Sequence, residues 1–263
     1  MVEGGTMTAL SIKEIGEKLV QAGKLEARPL AIYGADGRPK GAIPMTELNR
    51  CAARAIFHTS ITKGAPAVFI GEGFEEKCCP GGLSYFGLAK RNPMMKFFLS
   101  FGDKGFRGGA AEFLRITPEQ AERSFEATGK IDPLGKLLVI CPSELIEGDP
   151  GVRSFLLFGE SENIRNLSAL VHFRSEAVFS SVVAPSGASC ASFVTYAAGM
   201  AERSPREAVF LGPLDPTGNS WFPRGYLSMA IPLHIARSMA SDLEQSFIAK
   251  RESVAYPKKR VEP

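Results

Sequence analysis

Cys79 stands directly before Pro80-Gly81-Gly82, and Cys190 directly after Gly187-Ala188-Ser189; in both places a loop of small residues runs into a helical pattern. A cysteine at the first turn of a helix meets backbone N–H groups that have no intrahelical partner and the positive end of the helix dipole. Both favour the thiolate, the form that ligates metals or attacks electrophiles. Proline at the first helical position gives up no hydrogen bond there, while Gly81 and Gly82 let a ligand, a cluster or another backbone come close. Cys51 lies upstream, in the interior of a helix expected over 46–58. Thiolates from three separated segments, Cys51, Cys79 and Cys190, would leave one position of a metal open, as in an iron–sulfur cluster with a non-protein ligand or a catalytic zinc site. No C-x-x-C spacing accompanies them. Two other readings stand beside metal binding: a reactive thiol at Cys79 or Cys190, and plain packing, because free cysteine behaves as a small buried hydrophobe. Cys78, whose side chain should diverge from that of Cys79, is expected to be a packed neighbour or lesser partner. Cys141, before Pro142, is read as packing.

Other chemistry is sparse. The three histidines, His58, His172 and His234, fall on predicted helices, and nothing in their spacing ties His58 or His172 to Cys190 as a nucleophile pair. Gly71-x-Gly73 is followed by Phe-Glu-Glu-Lys and not by the third glycine of a dinucleotide fingerprint. Asp215-Pro216-Thr217-Gly218-Asn219-Ser220-Trp221, followed by Arg224, forms a polar loop able to hold an anionic ligand or to be a surface turn. A metal-free module gripping a small anion on two helix N-termini between two halves is therefore the alternative from a different class.

The elements that must position these residues read as an α/β (or α+β) pattern. Ser11 with Glu14 makes a capping box for a helix ending near Gly23, residues 28–33 a strand, and 67–70 a short buried strand after Pro66. A helix over about 81–89 follows the cysteine pair. The Gly- and Phe-rich stretch 92–116 reads as a loop over a site or as a run of turns, and Thr117-Pro118-Glu119-Gln120 opens a helix that Gly129 should end. Residues 136–141 form a strand. The order then repeats: strand 155–158, helix 162–173, strand 177–183, the Cys190 loop and a helix through 198. Ala67-Val68-Phe69 precedes Cys79 much as Ala177-Val178-Phe179 precedes Cys190. Two similar strand-helix-strand-helix halves, about 25–92 and 136–202, around a mixed sheet within one domain of residues 10–250 are expected. A C-terminal helix striped by Ala236, Met239, Leu243 and Phe247 closes it, before a tail at 251–263.

An apolar fraction of 44% against 22% charged residues supplies an ordinary globular core. A formal charge of +3, from 31 basic and 28 acidic residues interspersed along the chain, is no nucleic-acid footprint. No stretch approaches the roughly 20 apolar residues needed to span a bilayer, and the N-terminus lacks a signal-peptide pattern. A cytoplasmic protein with reduced thiols, free of membrane and nucleic-acid partners, is the expectation.

The sequence resembles the family catalogued as domain of unknown function 169, the uncharacterised ArCR family, over roughly residues 10–245. The resemblance rests on Cys51 within Asn-Arg-Cys-Ala-Ala-Arg-Ala, on Cys79-Pro80-Gly81-Gly82 with Gly87-Leu88, on Gly187-Ala188-Ser189-Cys190, and on the segment from Gly212 through Arg224 to Ala230-Ile231-Pro232. It implies that Cys51, Cys79 and Cys190 belong to the family pattern, while Cys78 and Cys141 depart from it. Members are common in anaerobic bacteria and archaea, which suits an oxygen-sensitive cluster. The expected site is therefore Cys51, Cys79 and Cys190 as ligands of an iron–sulfur cluster, with Gly81, Gly82 and Arg224 around a small-molecule ligand.

Overall fold

The computed structural model describes residues 10–74, 77–128, 131–199, 208–251 and 254. Gly129 and the basic tail cluster Lys258 to Arg260 lie outside the described residues. The chain begins with α1 (Ile12–Gly23), set by the expected capping box: the Ser11 hydroxyl accepts from the Glu14 N–H at 3.2 Å, and the Glu14 carboxylate accepts from the Ser11 N–H at 2.8 Å. Next come β1 (Leu30–Ala35), β2 (Ile43–Pro44), α2 (Met45–Leu48), α3 (Ala52–Ile61), β3 (Val68–Gly71), α4 (Pro80–Tyr85), α5 (Met95–Leu99), α6 (Pro118–Thr128) and β4 (Leu137–Pro142). The remainder is β5 (Ser154–Glu160), α7 (Ser161–Val171), β6 (Val182–Val183), a π-helix (Ala191–Gly199), β7 (Val209–Gly212), β8 (Tyr226–Pro232), α8 (Leu233–Asp242) and α9 (Phe247–Lys250).

Among the described residues, eight strands form one mixed sheet in the order β2-β3-β4-β1-β5-β8-β7-β6. The middle is an antiparallel seam between β1 and β5, pairing Leu30 with Leu156 and Ile32 with Ser154. Outward from that seam each side repeats the same senses: antiparallel, antiparallel, then a parallel two-residue edge. Alternation along the strands divides the core. Leu30, Ile32, Leu156 and Phe158 face the layer of α3, α4 and the π-helix, whereas Ala31, Tyr33, Phe155 and Leu157 face α1, α7 and α8.

By strand order the sheet divides into the β1–β4 quartet, residues 30–142, and the β5–β8 quartet, residues 154–232. The strand expected at 136–141 closes the first quartet. Ala177-Val178-Phe179 is not a strand: it lies in a turn, with Val178 74% and Phe179 96% exposed, while Val68 and Phe69 are buried. Serines explain this local failure. The Ser181 hydroxyl bonds Ser175 Oγ at 2.7 Å and donates to the Ala177 carbonyl at 3.1 Å, and the Ala177 N–H donates to Ser175 Oγ at 3.1 Å. Such bonds draw the backbone away from a ladder. The shared letters therefore mark no structural equivalence. By strand order, the counterpart of Cys190 is Cys51, since each opens the helix between the second and third strands of its quartet.

Two helices also differ from expectation. The helix foreseen over 46–58 breaks at Asn49, whose side-chain carbonyl accepts from the Cys51 N–H at 2.9 Å, so Cys51 caps α3 and does not lie inside a helix. The helix after Cys79 ends at Tyr85 and not near residue 89.

Beneath the site layer, Phe158 is fully buried and meets Phe57 and Phe193 edge-on, each with centroids 5.1 Å apart. Phe158→Ala should cost about 3–5 kcal/mol in urea unfolding. A loss below about 1 kcal/mol would contradict this packing.

Candidate functional site

The site forms where the start of α3 meets the start of α4. The Cys79 N–H donates to the Arg50 carbonyl at 3.0 Å, which ties the two helix starts together. Cys51 and Cys79 both have extended backbone at the cap position, so the first N–H groups of α3 are left without intrahelical partners. They lie near sulfur: the N–H groups of Ala53 and Arg54 act to lower the Cys51 thiol and that of Ala52 to lower Cys79, though neither cysteine side chain closes a cap hydrogen bond. The π-helix brings the third cysteine. Thr195 Oγ1 donates to the Tyr85 carbonyl, fixing that helix to α4.

Three thiols gather around the sulfur of a fourth, Cys79. The Cys79 thiol is driven far below the ordinary thiol range, first by the thiols of Cys190, Cys51 and Cys78 and then by the Ala52 N–H, against the opposing effect of burial. Cys51, Cys78 and Cys190 are each pushed up, foremost by their bonds to Cys79 and next by desolvation. The shifts oppose one another across the cluster, so Cys79 is the thiol most disposed to carry a negative charge. Cys78 is buried beside Cys79 and does not line the cavity. Cys141 stands apart: it is buried behind the sheet, its thiol is raised to about 11 by desolvation, and it has the packing role foreseen for it.

A cavity of about 260 Å³ opens against the cluster. Cys51, Cys79, Cys190, Gly81 and Gly82 line it, while Cys78 sits behind them. Gly82 matters through its missing side chain. A Cβ there would lie 3.0 Å from the Cys79 sulfur, 3.5 Å from that of Cys190 and 3.1 Å from Ala52 Cβ. The opposite wall is the 92–116 stretch, which is an ordered cover containing α5. Gly102 turns it with φ +84°, and a Cβ there would meet the Gly109 carbonyl oxygen at 2.3 Å. From the second quartet come Ser186 to Ser189, and from the late loop Asp215, Gly218 and Asn219. Asn219 Nδ2 donates to Ser189 Oγ at 2.5 Å and to the Asp215 carbonyl at 2.7 Å, holding that loop against the Cys190 turn.

One expected residue is not brought here. Arg224 is exposed and does not line the cavity. Neither His58, exposed on α3, nor His172, at the end of α7, lines it, so no Cys-His pair forms around Cys190. Conversely, Glu112 and Arg115 line the cavity without having been singled out. Nothing in the sequence set them apart from the other charges of that stretch, Lys96, Asp103, Lys104 and Arg107.

The donor set is chemically suited to a soft metal, since thiolates select iron–sulfur clusters, zinc and copper(I). Among the described residues, however, no group of three or more His, Cys, Asp or Glu side chains is arranged to hold a metal ion. The thiols gather on Cys79 and do not surround a common point. No helix among the described residues is long and apolar enough to cross a membrane.

In the reduced, metal-free protein, the lowered Cys79 thiol is a thiolate throughout the neutral range, whereas the three raised thiols keep their protons. Iodoacetamide should therefore modify Cys79 first, at a rate nearly flat between about pH 6 and 8, where an ordinary thiol gains about tenfold per unit. Peptide mapping that finds equal labelling of Cys51 and Cys79, or a tenfold rise per unit at Cys79, would refute this assignment.

The model of the family described as uncharacterised ArCR, DUF169, matches residues 18–242. No curated protein and no solved structure matches the chain.

Proposed function

The chain belongs to DUF169, the uncharacterised ArCR family, and we propose that it binds an iron–sulfur cluster, or another thiophilic metal, through Cys51, Cys79 and Cys190 and acts on a small molecule held in the adjoining cavity. One observation carries the reading: cysteines from three separate segments, Cys51, Cys79 and Cys190, line the same cavity, two of them within 3.5 Å of where a Gly82 side chain would sit. The opening beside Gly82 supports it, because a side chain there would fill the space next to two of the sulfurs. Loading a metal asks the thiols to turn from one another toward a common centre, a change of χ1 rotamer open to short side chains that border a cavity. Three protein thiolates leave one position for a non-protein ligand, and a bound cluster would supply electron transfer or Lewis acidity at that position.

The residues of the chain have separable parts in this reading. Cys51, Cys79 and Cys190 provide the ligands, and the N–H groups of Ala52, Ala53 and Arg54 stabilise negative charge on two of them. Gly82 keeps the centre's side clear. Cys78, behind the cavity, is a supporting donor and not a ligand.

Anaerobic purification with iron and acid-labile sulfide analysis tests the proposal. The wild-type protein should be coloured and carry both. Cys51→Ser, Cys79→Ser and Cys190→Ser should each lose most of the iron, Gly82→Ala should lose part of it, and Cys78→Ser should keep it. A colourless protein that takes up neither iron nor zinc would overturn the proposal. The metal-free alternative, a thiol enzyme acting through Cys79, then gains the ground.

A further inference from the structure

We propose that the cavity recognises a small zwitterion with an apolar body, an α-amino acid or a molecule of the same chemistry, whose ammonium meets Glu112 and whose carboxylate meets Arg115. The proposal deepens the preceding one, since it names the molecule expected beside the thiol centre.

The argument starts from how the cavity's cover is built. Segment 112–115 is stitched to the end of α5 by four backbone bonds: Glu112 N–H to the Phe98 carbonyl at 2.7 Å, Phe113 N–H to that of Ser100 at 3.0 Å, and both Leu114 and Arg115 N–H to that of Leu99, at 2.9 and 3.0 Å. Two charged residues of opposite sign are thereby fixed on one wall. Both line the cavity, and among the described residues no ion pair joins them to each other or to another residue.

Glu112 is the less ordinary of the two. Its Oε2 is shut off from solvent and has no hydrogen-bond partner among the described residues. A carboxylate oxygen withdrawn from water without a donor is costly, and native proteins rarely leave one so. The terminal torsion of a glutamate is broad and two-fold, so the carboxylate can turn an oxygen toward the cavity. What it requires is a donor, best a cationic one.

Arg115 is held in place but not used up. Nη1 donates to the Leu114 carbonyl at 2.8 Å and Nη2 to Ser186 Oγ at 2.7 Å, which leaves other guanidinium N–H groups for an acceptor. The remaining charges on the wall are otherwise occupied. Asp215 accepts from the Gly218 N–H at 3.0 Å in its own turn, and Arg107 is exposed and lies over the Phe98 ring at 4.3 Å. A simple anion in the cavity would leave Glu112 unpaired and opposed, and a simple cation would do the same at Arg115. A zwitterion answers both.

Size and walls agree. A cavity of about 260 Å³ lies near the lower end of the ~300–1,000 Å³ of small-molecule pockets, a size for a small ligand. Met95, Phe98, Leu99, Leu114 and Phe125 supply the apolar lining.

Isothermal titration of the full chain, prepared anaerobically, with L-leucine, L-methionine, 4-methylpentanoate and 3-methylbutylamine tests this. The amino acids should bind at least about tenfold more tightly than the carboxylate or the amine alone. Glu112→Gln should erase the preference over the carboxylate while leaving that over the amine, and Arg115→Gln should do the reverse. Equal affinities for zwitterion and single-charge analogues, no binding of either amino acid by folded wild-type protein, or unchanged discrimination in Glu112→Gln would overturn the proposal. The two readings fail separately. Iron-loaded protein that ignores amino acids sinks this one alone; amino acid binding by a protein that takes up no metal sinks the metal centre alone.

Discussion

The site depends on where one negative charge can be kept inside the protein. A thiolate withdrawn from water needs donors around it, and Cys79 has them from three thiols and from the Ala52 N–H at the start of α3. That requirement explains much of the local architecture. The break at Asn49 leaves the first N–H groups of α3 free, Arg50 anchors the Cys79 backbone, and the absence of a side chain at Gly82 keeps the neighbouring sulfurs accessible. Moving the helix break by a few residues would remove the donors while leaving the cysteines in the sequence.

The sheet carries these parts at longer range. Its β1–β5 seam sets two strand quartets side by side with the same internal order. Each quartet sends a helix with a cysteine at its start over the same face, which brings Cys51 and Cys190 to the cavity that Cys79 also lines. Apolar layers hold this arrangement: Phe57, Phe158, Phe193 and Phe222 stack in tilted and edge-on contacts below the helices. The covering stretch from α5 to Arg115 completes the wall without belonging to the sheet.

Much of this was legible in the letters, and the exceptions have physical causes. Ser11 with Glu14, the Thr117-Pro118 helix start and the apolar strands were readable because each is governed by neighbours in sequence. Cys79 at a helix start was readable from Pro80 for the same reason. Cys51 was misplaced because the apolar and helix-forming residues on both sides of Asn49 look continuous, and the Asn49 side chain bonding the Cys51 N–H breaks them. The 177–179 strand failed because serine hydroxyls outcompeted a ladder that had only two residues to offer. Cys78 and the cavity pair Glu112 and Arg115 were beyond local reading, since their significance lies in contacts or a shared cavity with segments far away in the chain. Arg224 shows the converse: a cation next to the right loop in sequence can point to open solvent in space.

The division of the cysteines between the two quartets also bears on how the protein comes into being. Cys51, Cys78 and Cys79 leave the ribosome well before Cys190, and the β1–β5 seam cannot close until β5 has been made. During synthesis the first three thiols therefore have neither their fourth partner nor the π-helix that roofs them. Non-local closure of this kind is slow relative to local helix formation, and it leaves an interval in which exposed thiols can be oxidised or take up stray metal. Reducing conditions at the moment of assembly are thus built into the order of the strands.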